Sequence, residues 1–213
     1  MDYIIVIPTH KRNEMIRSKT LKFLEKHNIP HDKIFILPST ATEWEHKEGD
    51  NYNLLPIENT SILEARNIII NYFEEGQKIV EMDDDIDDLV DVNGKSAVNF
   101  NDIVINNFSV SKGNLWGFYG GNMYYSDGKT KVGLYSIING FCGYENDKDI
   151  KLVMKEKEDF ERVILMYLKG KPVYKFTNYG IKTRYWKNKG GLQEKYNEKD
   201  RNEVQRIVAE RIN

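Results

Sequence analysis

The sequence predicts an α/β fold, a mixed sheet flanked by helices, and three observations carry that prediction. The chain opens strand, loop, helix, strand, which makes a βαβ unit with a parallel pair. Two further amphipathic segments, after Ser61 and before Gly170, carry apolar residues at helical spacing. From Leu115 to Tyr144 the texture changes to aromatic and glycine-rich runs, the mark of mixed or antiparallel strands. A length of 213 residues suits one domain.

Taken in order, Tyr3 to Ile7 is a β-branched run ended by Pro8, and Asn13 to Lys26 places Ile16, Thr20, Phe23 and Leu24 at helical spacing. Ile34 to Leu37 is the second strand and Asn53 to Ile57 a short third. Ser61-x-x-Glu64 is a capping box before a helix that Gly76 ends. Lys78 to Met82 forms a strand that runs straight into an acidic tract, and Asn101 to Ser111 forms a helix. Strands are expected at Leu115–Tyr119, Asn122–Tyr125 and Leu134–Ile138. Glu156 to Leu168 is expected as a helix that buries Phe160, Val163, Ile164, Tyr167 and Leu168. A strand over Val173–Phe176, a basic stretch, Gly190-Gly191 and a last helix through Val204, Ile207 and Val208 complete the chain.

Composition removes several classes. With 40% hydrophobic and 30% charged residues the chain is neither disordered nor membrane-like. Its 31 basic and 33 acidic residues sum to −2, so any polyanion site must be local. One cysteine, Cys142, forbids an internal disulfide; with a start directly on a strand, a cytoplasmic setting is expected. No apolar run is long enough to span a bilayer.

The strongest chemical signal is acidic. Glu81, Asp83, Asp84, Asp85, Asp87, Asp88 and Asp91 put seven carboxylates into eleven positions with no basic residue among them. Such repulsion needs compensation. Asp83 and Asp85, two apart at a strand end, share a side and sit where open α/β sheets bind ligands. Two hard oxygen ligands suit Mg2+ or Mn2+ whose remaining positions are filled by substrate phosphates. The competing reading is a solvated acidic turn. An EF-hand does not fit, since its glycine would fall on Asp88 and its last glutamate on Gly94.

Three further features bear on a site. Pro8-Thr9-x-x-Arg12 follows the first strand, where a polar loop can meet a nucleotide and Arg12 an anion; the alternative is a surface loop. Arg66 can meet a ligand or pair with the acidic tract. Glu158-Asp159 at a helix start serves the helix dipole or acts as a general base. Lys169 to Lys189 carries seven positive and no negative charges among Tyr174, Phe176, Tyr179, Tyr185 and Trp186, a pattern that suits phosphates and stackable bases or an exposed strand.

Asp83-Asp84-Asp85, Lys157-Glu158-Asp159 and the ending Lys182 to Gly191 together resemble the TET/JBP-associated glycosyltransferases, a family of GT-A-type enzymes typically encoded by bacteriophages. The resemblance implies a GT-A-like, Rossmann-type mixed sheet with a nucleotide-sugar-binding half, 1–92, and an acceptor-binding and catalytic half, 93–213. It implies transfer of a sugar, glucose from UDP-glucose, to the hydroxymethyl group of 5-hydroxymethyluracil or 5-hydroxymethylcytosine in DNA, with inversion. In that role Asp83 and Asp85 hold Mn2+ or Mg2+, and Asp159 or Glu158 is the base. Pro8, Thr9, Arg12, Ser39, Arg66, Asp83, Asp84, Lys187, Lys189 and Gly190 face the donor. Trp116, Tyr119, Asn139, Gly140 and Trp186 face the acceptor, although Trp116 and its aromatic neighbours also suit a core. One departure is that no histidine follows His46, so the late histidine that often completes such a metal site is missing. A polysaccharide or protein acceptor, or a non-enzymatic nucleic-acid-binding module, are the competing functions.

Overall fold

A computed structural model describes residues 2–40, 43–55, 58, 61–120, 123, 126–137, 140–155 and 157–183. Within these residues nine strands form one mixed sheet. The strands are β1 (Ile4–Thr9), β2 (Ile34–Pro38), β3 (Asn53–Leu54), β4 (Lys78–Met82), β5 (Asp88–Asp91), β6 (Trp116–Tyr119), β7 (Thr130–Gly133), β8 (Phe141–Glu145) and β9 (Val173–Lys182). The order is β3-β2-β1-β4-β8-β6-β9-β5, with β7 also paired to β9. β3, β2, β1 and β4 run parallel to one another, β8 is antiparallel to both β4 and β6, and β6 is parallel to β9. Three of the strands are buried along their length as near-continuous apolar runs, as a sheet covered on both faces demands.

The helices divide between the two faces. α1 (Asn13–Ile16) and α2 (Lys22–Lys26), joined by a π-helical turn over Arg17–Leu21, share one face with α4 (Phe100–Ser111). There Ile16, Leu21, Phe23, Phe100, Val104 and Trp116 pack into one core. α3 (Ile62–Tyr72) and α5 (Glu158–Leu168) cover the other face, where Ala65, Ile69, Val163 and Met166 pack against Val6, Ile79 and Tyr144. The capping box works as its spacing predicts: Ser61 Oγ accepts from the Glu64 backbone N–H at 3.2 Å. Among the described residues no helix is long and apolar enough to cross a membrane.

Four expectations are corrected. Leu134–Ile137 is not a strand; the ladder falls on either side of it, in β7 and β8. The acidic tract contains a strand, β5, that pairs with β9 rather than forming only a turn. β9 runs on to Lys182, past the Phe176 expected as its end. The buried face of α5 is not the apolar stripe. Glu158, Glu161, Arg162, Val163 and Met166 turn inward, while Phe160, Tyr167 and Leu168, the last 76% exposed, turn outward. That rotation is possible because the inward charges are satisfied: the Glu161 carboxylate accepts from the Val153 and Met154 N–H groups at 2.9 Å each, and Arg162 meets a buried carboxylate. Of the expected strand at Asn122–Tyr125 only Met123 is among the described residues, and the C-terminal helix lies outside them.

Candidate functional site

After β1 the chain crosses to β2 on one side, and only after β3 and α3 does it return to β4 on the other. The carboxyl ends of β1 and β4 therefore flank a topological switch point, the place where open α/β sheets leave a crevice. Thr9 ends β1 there, and Asp83-Asp84-Asp85 follow β4.

The seven carboxylates of the tract are sorted by their partners. Glu81 lies fully buried in β4, where burial works to raise its pKa and is overcome by Arg162, Arg66 and the Tyr144 hydroxyl, which hold it down. Arg162 Nη1 donates to Glu81 Oε1 at 2.7 Å, Arg66 Nη1 donates to Oε2, and the Tyr144 hydroxyl donates to Oε1. Asp84 is buried toward β1, accepting from Thr9 Oγ1 at 2.8 Å and from Arg12 Nη1 at 2.9 Å. Asp87 meets Lys19 at 3.2 Å and Asp88 meets Lys26 at 3.5 Å. Asp91 accepts from the backbone N–H groups of Asn93 and Lys95 in its own turn.

Asp83 and Asp85 stand at the mouth of the tract. Asp83 has Arg66 Nη2 at 3.6 Å, and Asp85 has Arg12 Nη1 at 3.9 Å and the Thr183 hydroxyl at 3.1 Å. Their backbone is fixed, however. The Asp83 N–H donates to the Gly140 carbonyl at 2.9 Å. Thr20, on the π-helical turn, donates to the Asp83 carbonyl at 2.7 Å and accepts from the Ile86 N–H at 2.9 Å. Thr183 donates to the Asp85 carbonyl at 2.9 Å. Burial pushes the Asp83 carboxyl up to about 7, helped by the charges of Asp85, Asp84 and Glu158 and opposed by Arg66. The backbone there lies deep, yet 46% of the side-chain surface opens outward, and water on that side tempers the rise.

Across from these groups, α5 begins at Glu158 after Lys157, whose φ of +63° turns the chain inward. Glu158 is buried and Asp159 half-buried. Burial raises both carboxyls and their mutual proximity raises Glu158 further, while Arg66 lowers both. Asp83 and Glu158 thus feel each other's charge and share Arg66 as counterion. Two carboxyls with raised affinity for a proton at a helix start suit general-base work.

Among the remaining expected residues, Pro8 lies in β1, and Ser39 follows β2 with its N–H donating to the Thr9 carbonyl at 3.0 Å and its hydroxyl beside His10 and Glu43. Arg12 and Asp84 brace each other across the switch point. Tyr119 ends β6, half-buried, with Lys175 Nζ 5.7 Å above its ring. Trp116 is corrected: it is enclosed in the core against Phe108, Phe118, Phe141 and Phe176, so neither face of its ring is open to a base. Asn139, Trp186, Lys187, Lys189 and Gly190 lie outside the described residues. Sequence reasoning missed Thr20, Tyr144, Arg162 and Thr183. Arg162 had a signal, since it falls four residues after Glu158 and four before Met166, a charge in line with buried positions, and Thr183 lies in the ending that carries the resemblance; Thr20 and Tyr144 had none.

Among the described residues no three His, Cys, Asp or Glu side chains gather as a complete metal cage. Two carboxylates at an open strand edge nonetheless fit a hard divalent cation that takes its other ligands from a diphosphate and water.

No protein-family model matches the sequence, and no curated protein sequence matches it. The fold is similar to that of a mannosyltransferase from Pyrobaculum calidifontis, solved with GDP-Man and Mn2+, at TM-score 0.59 and 10% identity. That similarity covers 84% of this chain but only 56% of the mannosyltransferase. The fold is also similar to that of a provisionally named glucose-1-phosphate thymidylyltransferase from Bacillus anthracis, solved with sucrose, at TM-score 0.50 and 9% identity, over 85% of this chain and 88% of the other. The architecture is GT-A-like.

Two outcomes follow from this geometry. Glu81→Gln strands two buried guanidinium groups and should cost about 3–5 kcal/mol, read as a fall in melting temperature of about 2–4 °C per kcal/mol; a fall within error would show the cluster to be inessential. Because a carboxyl must lose its proton to ligate a metal, Mn2+ affinity should rise as pH climbs through the Asp83 transition, which burial places above the ordinary carboxylate range. Titration calorimetry on Asp83→Asn should show that rise abolished.

Proposed function

We propose that the protein is a metal-dependent glycosyltransferase that moves glucose from UDP-glucose, with inversion, onto the hydroxymethyl group of 5-hydroxymethylpyrimidine bases in DNA. The observation that carries the enzymatic part is the convergence, at one switch point, of the carboxylates Asp83 and Asp85 with Glu158 and Asp159, whose affinity for a proton burial raises. The GT-A-like architecture supports it. The choice of sugar and of DNA as acceptor rests on the resemblance of the three motifs described above.

In this reading Asp83 and Asp85 hold Mg2+ or Mn2+, which supplies charge neutralisation for a departing diphosphate. Thr9 and Ser39 shape the crevice wall beside the nucleotide, and Lys187 or Lys189 adds positive charge at the diphosphate. Asp159 or Glu158 takes the proton from the acceptor hydroxyl as its oxygen bonds to the anomeric carbon. The bond from that carbon to the diphosphate oxygen breaks, and its electrons leave with the nucleoside diphosphate. Positioning and electrostatic stabilisation supply most of the acceleration. The hydroxymethyl group lies in the major groove, and a deep site would require the base to be flipped, at a cost of a few kcal/mol. In this reading Gly140, whose carbonyl accepts from the Asp83 N–H, and Tyr119 meet the acceptor, a role the motif resemblance also assigns to Asn139 and Trp186.

The test incubates the protein with Mn2+, a panel of UDP-sugars and DNA bearing either hydroxymethylated base, and weighs the released nucleosides. The expected result is a hexose-mass increment that Asp85→Ala abolishes and that Asp159→Asn or Glu158→Gln slows by about 10²- to 10⁴-fold. No increment with any pair, from folded protein, contradicts the proposal.

A further inference from the structure

A concavity lies away from the switch point and is lined by none of the residues assigned there. It is a groove of about 450 Å³ between the N-terminal half of α4 and β9. β9 makes it by leaving the ladder: Phe118 of β6 pairs with Phe176, but the next residue, Tyr119, pairs with Gly180. Thr177, Asn178 and Tyr179 are therefore looped out from β6, at the point where the other edge of β9 passes from β7 to β5. Bulges of this kind re-aim side chains. Here they bring Asn178 and Tyr179 over α4.

The lining is chemically selective. Asn99, Asp102, Asn106, Asn107, Asn178 and Tyr179 supply four carboxamides, one carboxylate and one phenol. Among the described residues no lysine or arginine lines the groove, so phosphate or a nucleic-acid backbone finds no countercharge from them. A carboxamide both donates and accepts, the property needed to meet vicinal hydroxyls, and Tyr179 with Ile103 adds an apolar patch anchored on the core. Two of the amides are unspent. Asn107 is 3% exposed and its Nδ2 has no hydrogen-bond partner among the described residues, a deficit that proteins normally avoid. Asn99 occupies the N-cap position of α4, yet its side chain makes no capping bond.

We propose that this groove binds a neutral, hydroxyl-rich ligand, a single sugar ring, at a site separate from the donor cleft and whether or not the chain is a transferase. The ring could belong to a free saccharide or to a sugar already attached to a nucleoside, and the test separates these sources. Saturation-transfer NMR is run on the full chain with glucose, mannose, galactose, maltose and a glucosylated hydroxymethylpyrimidine nucleoside. The expected result is transfer to the ring protons of at least one of them, unchanged between low and physiological salt. Transfer from free saccharides marks a saccharide site, and transfer from the nucleoside alone marks a product-sugar site. Asn106→Ala with Asn178→Ala, both at exposed positions, should weaken that binding at least tenfold without lowering the melting temperature. Asp83→Asn with Asp85→Asn should leave it intact, so failure of the glycosyltransferase reading does not decide this one. No transfer from any probe, transfer untouched by the asparagine variants, or transfer lost with the aspartates would overturn the proposal.

Discussion

The structure turns on a carboxylate buried at its centre. Glu81 sits in β4 with no access to water and is met from α3 by Arg66, from α5 by Arg162 and from β8 by Tyr144. Taking one such charge out of water costs several kcal/mol, and only close, multiple partners repay it. The partners come from elements far apart in the chain, so satisfying Glu81 fixes how both helices of that face sit on the sheet. It also fixes the site. Arg66 continues to Asp83, and Arg162 lies one turn beyond Glu158 on the same helix. The cluster carries two positive charges against one negative, and the excess faces a crevice rimmed with carboxylates. A buried ion cluster of this kind contributes geometry more than stability.

Much of the frame was legible where local chemistry decides structure. β1, β2 and β4 are short, largely apolar runs buried along most of their length, and Ser61 caps α3 through the bond its spacing predicts. What was not legible depended on partners distant in sequence. The apolar stripe of α5 reads as its core face, but Glu81 and the N–H groups of Val153 and Met154 make it cheaper to bury Arg162 and Glu161. β5 is written in aspartates and is a strand because β9 pairs with it. Trp116, plausible as a stacking surface, is a core residue because Gly143 opposite it on β8 leaves room for its ring.

The acidic tract shows the same division. Seven carboxylates in eleven positions read as one cluster, and their spacing alone singled out Asp83 and Asp85. The fold spends the others on braces: Asp84 ties β1 to β4 through Thr9 and Arg12, and Asp87 and Asp88 reach Lys19 and Lys26 on the helical segment beneath. At the crevice Thr20, Gly140 and Thr183 hold the backbone, the Asp83 side chain is 46% exposed beside Arg66, and Asp85 accepts from the Thr183 hydroxyl. A rigid backbone that presents oxygen ligands at a strand end is what a cation-dependent site needs.

The most direct measurement of that claim is anomalous diffraction from crystals soaked with Mn2+ and UDP. The account predicts a manganese peak bounded by the Asp83 and Asp85 carboxylates, with the diphosphate against it and Glu158 and Asp159 across the crevice. A nucleotide bound elsewhere, with both aspartates turned to bulk solvent and no peak between them, would contradict it.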